Sequence, residues 1–150
     1  MRKGIFPDER ITDFIFSHTC LTLAVAENNV PYCASCFYVY VPGMNILVIK
    51  SKKSTAHIRR ALLNPRVAGA IVPDSLDMKR VQGIQFSGIL FNLQESSCDA
   101  ASMYYRKYPF AIAVPGELWG IELSSIKFTD HRLGFGKKLY FSIDGKNSDG

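Results

Sequence analysis

A long alternation of apolar and polar residues over positions 80–94 changes phase partway along, and this change constrains the fold more than any other feature of the sequence. Ile84 and Phe86 would share one face of a strand, whereas the apolar residues that follow Gly88 would share the opposite face. A glycine inside a strand often marks a bulge or the corner of a barrel. The pattern therefore predicts a strand that bends at Gly88, as strands do in the wall of a small barrel.

A second alternation, over residues 118–129, slips phase at Ser124 and Ser125. Four strand patterns precede these two, joined mainly by hairpin signals. The four patterns cover residues 21–26, 32–41, 46–49 and 66–72. About six strands, two phase slips and only short helices predict a mainly β protein, a six-stranded antiparallel barrel rather than a doubly wound parallel sheet.

Three short helices are predicted from apolar positions spaced three and four residues apart and from residues typical of helix ends. The first covers residues 10–18. The second precedes Asn64 and Pro65, which stop it. The third is capped by Ser96 and Ser97 and ends near residue 107. The expected buried faces carry Ile11, Phe14 and Ile15 in the first helix and Ile58, Ala61 and Leu62 in the second.

A basic turn separates the strand pattern at residues 46–49 from the second helix. It consists of Lys50, Ser51, Lys52 and Lys53. Lysine side chains beside the unpaired N–H groups of a helix start, with Ser54 or Thr55 as the cap, favour an anion such as phosphate. A lysine turn that simply faces water accounts for the same residues. From this stretch alone, both interpretations stay open.

Length and composition point to one domain, residues 1–150, that buries its own core without a disulfide or metal. A hydrophobic fraction of 47% with 21% charged residues is ordinary for a soluble protein, and a net charge of +5 suits a small phosphorylated ligand as well as a polyanion. Asp8, Glu9 and Asp13 make the amino terminus a poor secretory signal. We therefore expect a cytoplasmic protein with reduced cysteines and a frayed tail over residues 145–150.

Several motifs lack the residues or the context that their chemistry needs. Cys33 and Cys36 fall inside a strand pattern, so we expect two small buried side chains on opposite faces rather than a redox pair. The three histidines lie far apart in the sequence, and no zinc site is expected. The stretch from Gly134 to Lys138 lacks the first glycine and the final Ser/Thr of a phosphate loop. No serine-hydrolase elbow or dinucleotide-binding glycine motif is present.

The remaining candidates are basic residues from two separate segments. Lys52, Lys53 and His57 come from the basic turn and its helix. The carboxyl-terminal segment supplies Arg132, Lys137 and Lys138. If that segment folds back onto the barrel mouth, it would provide the second half of an anion pocket.

The order of these elements resembles a known family. The chain has a strand, a basic loop and a helix beginning T-A-H-I, followed by N-P-R-V-A-G-A-I-V and V-Q-G-I-Q-F-S-G. In these segments it resembles the pyridoxamine phosphate oxidase-like, FMN-binding split barrel family. The closing segment I-K-F-T-D-H-R-L-G-F-G-K-K looks like its YhbP-like bacterial branch. This resemblance implies a six-stranded antiparallel split barrel and a homodimer that binds FMN in two grooves at the subunit interface.

The resemblance also implies positions for the flavin contacts. The second strand of the family corresponds to residues 33–38, and the end of the third strand corresponds to Lys50 and Ser51. The residues of the second strand taken as candidates are Ala34, Ser35 and Cys36. An Arg-Lys pair at the following helix corresponds to Ala56 and His57, so the arginine is missing, and His57 would give a weaker, pH-dependent phosphate contact unless Lys52 or Lys53 substitutes for it.

The carboxyl-terminal segment departs from the family pattern F-W-Q…R-L-H-D-R. Thr129 stands in place of the tryptophan and Gly134 in place of the histidine on the substrate side, and the spacing is shorter. Lys137 or Lys138 would replace the last arginine as a cation, without its planar fork. Oxidation of pyridoxamine phosphate itself is therefore not expected.

Three functions remain to be compared. The first is a homodimeric FMN protein acting as a flavin-dependent oxidoreductase between a reduced nicotinamide and a small acceptor. The second is a protein that binds or senses a flavin or related cofactor without catalysis. The third, a basic barrel for nucleic acid, has less support because the aromatic residues follow core-like alternation rather than a stacking face.

Overall fold

Seven strands form one continuous antiparallel sheet in the order β3-β2-β1-β4-β5-β6-β7. The computed structural model describes residues 6–93, 98–134 and 137–145. The strands are β1 Cys20–Glu27, β2 Val30–Val41, β3 Ile46–Ser51, β4 Arg66–Ile71, β5 Gln82–Asn92, β6 Glu117–Asp130 and β7 Lys138–Ser142. A further pairing between β3 and β6 closes the first six strands into the predicted barrel.

One edge of β6 is divided between two partners, and this splits the barrel wall. The first part of β6 pairs with β3, from Ser51 opposite Glu117 to Ile46 opposite Glu122. The second part pairs with β7 on residues 125–129. Sequence patterns did not predict β7, which is only 5 residues long and partly exposed. Its strand conformation follows from the edge that β6 leaves open beyond β3.

The two predicted phase slips meet at a single irregularity. Ser87 of β5 pairs with Ser125 of β6, whereas Gly88 pairs with Leu123, so Ser124 is the extra residue of a bulge in β6. The predicted slip at Ser124 and Ser125 is confirmed. On β5 the register shift falls between Ser87 and Gly88, where the irregularity was predicted. The buried face nevertheless continues through Phe86, Gly88 and Leu90, so the predicted change of phase on β5 is wrong. Phe91, an apolar residue on the other face of β5, packs against a second cluster of buried side chains outside the barrel.

Buried side chains form two clusters on opposite sides of the barrel wall. Inside the barrel, Tyr38, Ile49 and Trp119 are among the fully buried residues. Outside, Val39 and Val48 pack against the third helix, with Phe91 of β5 partly buried beside them. Because neighbouring residues of a strand point to opposite faces, β2, β3 and β5 are apolar on both sides where this helix covers them.

Three α-helices surround the barrel, as predicted: α1 Glu9–Ser17, α2 Ala56–Leu63 and α3 Cys98–Lys107. A 3₁₀ turn over Pro109–Ala113 follows α3, and another over His131–Leu133 follows β6. Helix α1 buries its three predicted residues, and α2 buries Ile58 and Ala61. Leu62, expected on the same face, is 47% exposed because the buried stripe of this short helix is narrow.

Two predicted features lie outside the described residues: the Ser96 and Ser97 cap, and the tail beyond residue 145. Tyr104 and Tyr108 of the α3 region are buried in the outer cluster. The helices of the described segments are all too short or too polar to cross a membrane.

Candidate functional site

Ser51, the last residue of β3, joins three of the predicted site residues at one end of the barrel. Its hydroxyl lies 2.9 Å from Nε2 of His57 on α2, and its side chain also hydrogen-bonds with the thiol of Cys36 on β2. The Trp119 indole donates to its carbonyl oxygen over 2.9 Å. The structure therefore brings together residues from β2, β3 and α2. We call this group, Cys36, Ser51 and His57, the Ser51 cluster.

Burial keeps the cluster uncharged near neutral pH. Burial raises the pKa of the Cys36 thiol to about 11, with a further contribution from Cys20 and an opposing one from the Ser51 hydrogen bond. Burial also lowers the pKa of His57. A neutral thiol and a neutral imidazole can orient a ligand by hydrogen bonding, but they do not attract it by charge.

Positive charge comes instead from the turn that leads into α2. Lys52 and Lys53 are both exposed. Thr55 occupies the N-cap position, but its side chain does not cap the helix as predicted. Its hydroxyl donates to the Lys52 carbonyl oxygen over 2.8 Å, so the first N–H groups of α2 are not occupied by a side-chain cap. These N–H groups and the two ammonium groups are donors of the kind that suits a phosphate.

Lys50 lies on the opposite face of β3 from Ser51, as alternation along a strand requires. Its ammonium group donates to the Ala111 carbonyl oxygen over 2.7 Å and lies 4.8 Å from the centroid of the Tyr105 ring. These contacts hold the 3₁₀ turn after α3 against β3. Of the predicted site residues, Lys50 is therefore the one most clearly engaged in the scaffold.

An open groove lies on the outer face of the barrel, on the other side of the wall from Cys36. Its volume is about 450 Å³. It is lined by Thr19, Cys20, Thr22, Ser35, Ala70, Val72, Pro73 and Asp74. The Asp74 carboxylate closes one end by accepting from the backbone N–H and the hydroxyl of Thr19, at 3.0 and 3.1 Å. Ser35, a predicted site residue, lines this groove, and its neighbour Cys36 points to the opposite face of β2.

The other β2 candidates follow the same alternation. Ala34 is half-buried and Ser35 is exposed. Cys33 is exposed on the outer face rather than buried, which corrects the expectation of two buried thiols, whereas its predicted opposite orientation to Cys36 is confirmed.

The structure adds an aromatic surface that the sequence did not indicate. Phe37 and Phe110 are 52% and 61% exposed, and their ring centroids are 6.3 Å apart. Ile112 is 70% exposed on the same 3₁₀ turn as Phe110. The sequence signal for this surface was Phe37 itself, a large apolar residue that follows Cys33 and Ser35 on the outer face of β2.

The carboxyl-terminal candidates lie elsewhere. Ser51 pairs with Glu117, the first residue of the 14-residue strand β6. Arg132 lies just beyond Asp130, the last residue of β6, and so at the opposite end of this strand. Arg132 there forms an ion pair with Asp130 at 2.8 Å. Lys137 and Lys138 are exposed at the start of β7. Within one chain, this segment does not fold back onto the Ser51 cluster.

Comparisons with known proteins agree with this fold. No family model matches the chain. The order and pairing of the strands define a split-barrel fold. A UPF0306 protein from Yersinia pseudotuberculosis serotype O:3 (strain YPIII) is 37% identical over 133 residues, covering 88% of this chain and 90% of the relative. The chain belongs to the UPF0306 family.

Three solved structures share the fold at low sequence identity. A heme binding protein from Mycobacterium smegmatis matches with a TM-score of 0.71 and 16% identity, over 84% of this chain and 53% of that one. An FAD-binding protein from Mesorhizobium loti matches with a TM-score of 0.66 and 17% identity, over 81% and 92%. A candidate pyridoxamine 5'-phosphate oxidase from Listeria innocua matches with a TM-score of 0.63 and 15% identity, over 80% and 95%.

Proposed function

We propose that this protein binds FMN along β2 and the turn between β3 and α2, as a homodimer, and acts as a flavin-dependent oxidoreductase on a small acceptor. One observation carries the proposal. Residues from the three segments where the family resemblance implies flavin contacts are connected through the Ser51 hydroxyl, at 2.9 Å from His57 and in contact with Cys36.

The phosphate of FMN would lie at the start of α2. Lys52 and Lys53 are exposed beside N–H groups that no side chain caps. His57 replaces the lysine of the family pair, and because its pKa is lowered by burial, it contributes a hydrogen bond rather than a charge near pH 7. The two lysines therefore supply the charge that the missing arginine would otherwise provide.

The ring system would lie in the groove that contains Ser35. Small side chains such as Thr22 and Ala70 leave a volume of about 450 Å³ open, within the range of small-molecule sites. When bound, a flavin supplies the electron-transfer chemistry, and this chain supplies binding and orientation.

A second copy of the chain would cover the aromatic surface beside the groove. Phe37, Phe110 and Ile112 are each more than half exposed. In this arrangement, Lys137 and Lys138 from the carboxyl-terminal segment of the second copy would complete the cofactor groove. Arg132 of that segment is paired with Asp130 instead.

Binding without catalysis is the second candidate. Burial moves the pKa of Cys36 up and that of His57 down, so both groups of the Ser51 cluster are held toward their neutral forms at pH 7. Structural neighbours described as heme-binding or FAD-binding support a cofactor role that does not require FMN chemistry.

Absorbance of the purified protein and titration of the apoprotein with FMN test the proposal. Saturable binding with turnover of NADH or NADPH supports the oxidoreductase, and binding without turnover across a panel of acceptors supports the second candidate. Absence of saturable FMN binding contradicts both flavin roles, and a Soret band would indicate heme instead.

Size-exclusion chromatography with light scattering tests whether the protein is a dimer. Steeply salt-dependent binding to oligonucleotides would support the nucleic-acid alternative.

A further inference from the structure

A second cavity lies at the far end of β6 from the Ser51 cluster. Its volume is about 640 Å³, in the range of small-molecule sites. It opens between α1 and the ends of β5 and β6, where Gln82 pairs with Asp130. Nothing in the proposed flavin site uses it within one chain.

Two arginines line the cavity just beyond the end of the β5–β6 ladder. After the last strand pair, Gln82 with Asp130, the His131 backbone N–H donates to the Val81 carbonyl oxygen over 3.1 Å. Arg80 lies two residues before β5, Arg132 lies in the 3₁₀ turn after β6, and both line the cavity. Two guanidinium groups in the lining of one cavity favour an anionic ligand there.

One buried carboxylate compensates only one of these charges. Asp130 is 3% exposed and accepts from Nη2 of Arg132 over 2.8 Å and from Nε2 of Gln82 over 2.9 Å. The guanidinium of Arg80 forms no ion pair with any residue that the structure describes. Asp130 therefore fixes the fork of Arg132 and leaves the charge of Arg80 available.

The other walls carry charges that do not cancel Arg80. Arg10 lines the cavity from α1 and is paired with Asp8 at 3.0 Å. Asp13, the second carboxylate of the lining, lies on α1 with Arg10 rather than at the ladder end.

The floor of the cavity is aromatic. The ring centroids of Phe14 and Phe128 are 5.2 Å apart, and that of His18 lies 4.5 Å from Phe14. Leu133 completes the apolar part of the lining. Aromatic rings and guanidinium groups in one lining suit a ligand with an apolar ring and one acidic group.

We propose that this cavity binds a small aromatic carboxylate, with the carboxylate held by Arg80 and Arg132 and the ring packed on Phe14 and Phe128. The site is distinct from the flavin groove, and its ligand binding does not depend on FMN.

Titration of the full-length protein with benzoate, followed by calorimetry and by NMR of the ¹⁵N-labelled chain, tests the proposal. We expect saturable binding that perturbs the Gln82 side-chain resonance. Benzyl alcohol, which has the ring without the charge, should bind at least about tenfold more weakly, the effect of losing a charge-assisted hydrogen bond.

Variants locate the site. Arg80→Gln should weaken benzoate binding at least about tenfold. Arg66→Gln removes the same charge from an exposed residue at the start of β4 and should leave the affinity unchanged. Equal binding of benzoate and benzyl alcohol, equal binding by Arg80→Gln and wild type, or no saturable binding would overturn the proposal. Displacement of benzoate by FMN would show one shared site and would also overturn it.

Discussion

Nε2 of His57 lies 2.9 Å from the Ser51 hydroxyl, so the start of α2 is fixed to the end of β3 across the basic turn. The indole N–H of Trp119 on β6 donates a hydrogen bond to the carbonyl oxygen of Ser51. A ligand bound at this turn would therefore contact a helix start whose position is set by the barrel wall.

Reversing the charge at the turn should weaken flavin binding. We expect Lys53→Glu with His57→Glu to lower FMN affinity by at least about tenfold, because two donors to the phosphate become repulsive. Fluorescence titration with FMN measures the affinity, and circular dichroism should show that the variant remains folded. The control, Lys79→Glu with His131→Glu, makes the same change at two exposed residues elsewhere and should bind as wild type does. Equal affinities for the two variants would mean that the phosphate lies at another place.

The single tryptophan of the chain should report flavin binding. Trp119 is fully buried and donates to the Ser51 carbonyl oxygen, so a flavin at the Ser51 cluster would quench its emission. We expect saturable quenching that follows FMN occupancy in wild type and a loss of this signal in Trp119→Phe. Emission that stays constant while FMN binds would place the flavin away from the cluster.

Adding one methyl group at Gly88 should destabilise the barrel. A Cβ there would lie 2.4 Å from the Glu122 carbonyl oxygen, a backbone atom opposite the bulge. We expect Gly88→Ala to lower the free energy of unfolding by about 1–3 kcal/mol, as overpacking does. At Gly43, a Cβ would meet nothing within 4 Å, so Gly43→Ala is the matched control with little expected effect. Urea denaturation of the two variants compares them directly, and equal midpoints would contradict the prediction.

Stability at acid pH should depend on Asp130. Desolvation alone would raise its pKa, but hydrogen bonds from Arg132 and Gln82 outweigh this effect and lower the pKa to about 2. A carboxyl group with a lowered folded-state pKa stabilises the fold above its unfolded pKa, near 3.8, and loses this contribution as pH falls toward 2.

The contribution is on the order of 2 kcal/mol. Asp130→Asn should be less stable than wild type at pH 6, and the difference should shrink as pH falls from about 4 to 2. Urea unfolding across this pH range measures it. The difference would stay constant with pH if the buried carboxylate owed its effect to packing alone.

The barrel was predictable because strand alternation depends on local pattern. The slip at Ser124 and Ser125 corresponds to a real bulge. The change of phase predicted at Gly88 was wrong because α3 covers the outer face of the wall near Phe91, and apolar residues on two faces of a strand look like a change of phase. Strand β7 could not be predicted from its 5 residues, since its conformation depends on the free edge of β6.

The candidate site was only partly predictable. The convergence of Cys36, Ser51 and His57 followed from the family resemblance, and the opposite orientation of Lys50 could have been derived from alternation. The separation of Arg132 could not, because it depends on the full length of β6 continuing past β3. The roles of these residues toward a cofactor stay predictions.

The divided edge of β6 also determines how the protein opens. β5 lies along one side of the strand, while β3 and then β7 occupy the other. Between the β3 and β7 pairings, the Leu123 N–H donates to the Asn45 carbonyl oxygen, and the Ser124 carbonyl oxygen accepts from the Ile143 N–H. Amide protons buried in such a doubly bonded strand exchange with solvent only when the surrounding sheet separates. Deuterium uptake along β6 would therefore measure the global unfolding equilibrium, whichever ligand the barrel carries.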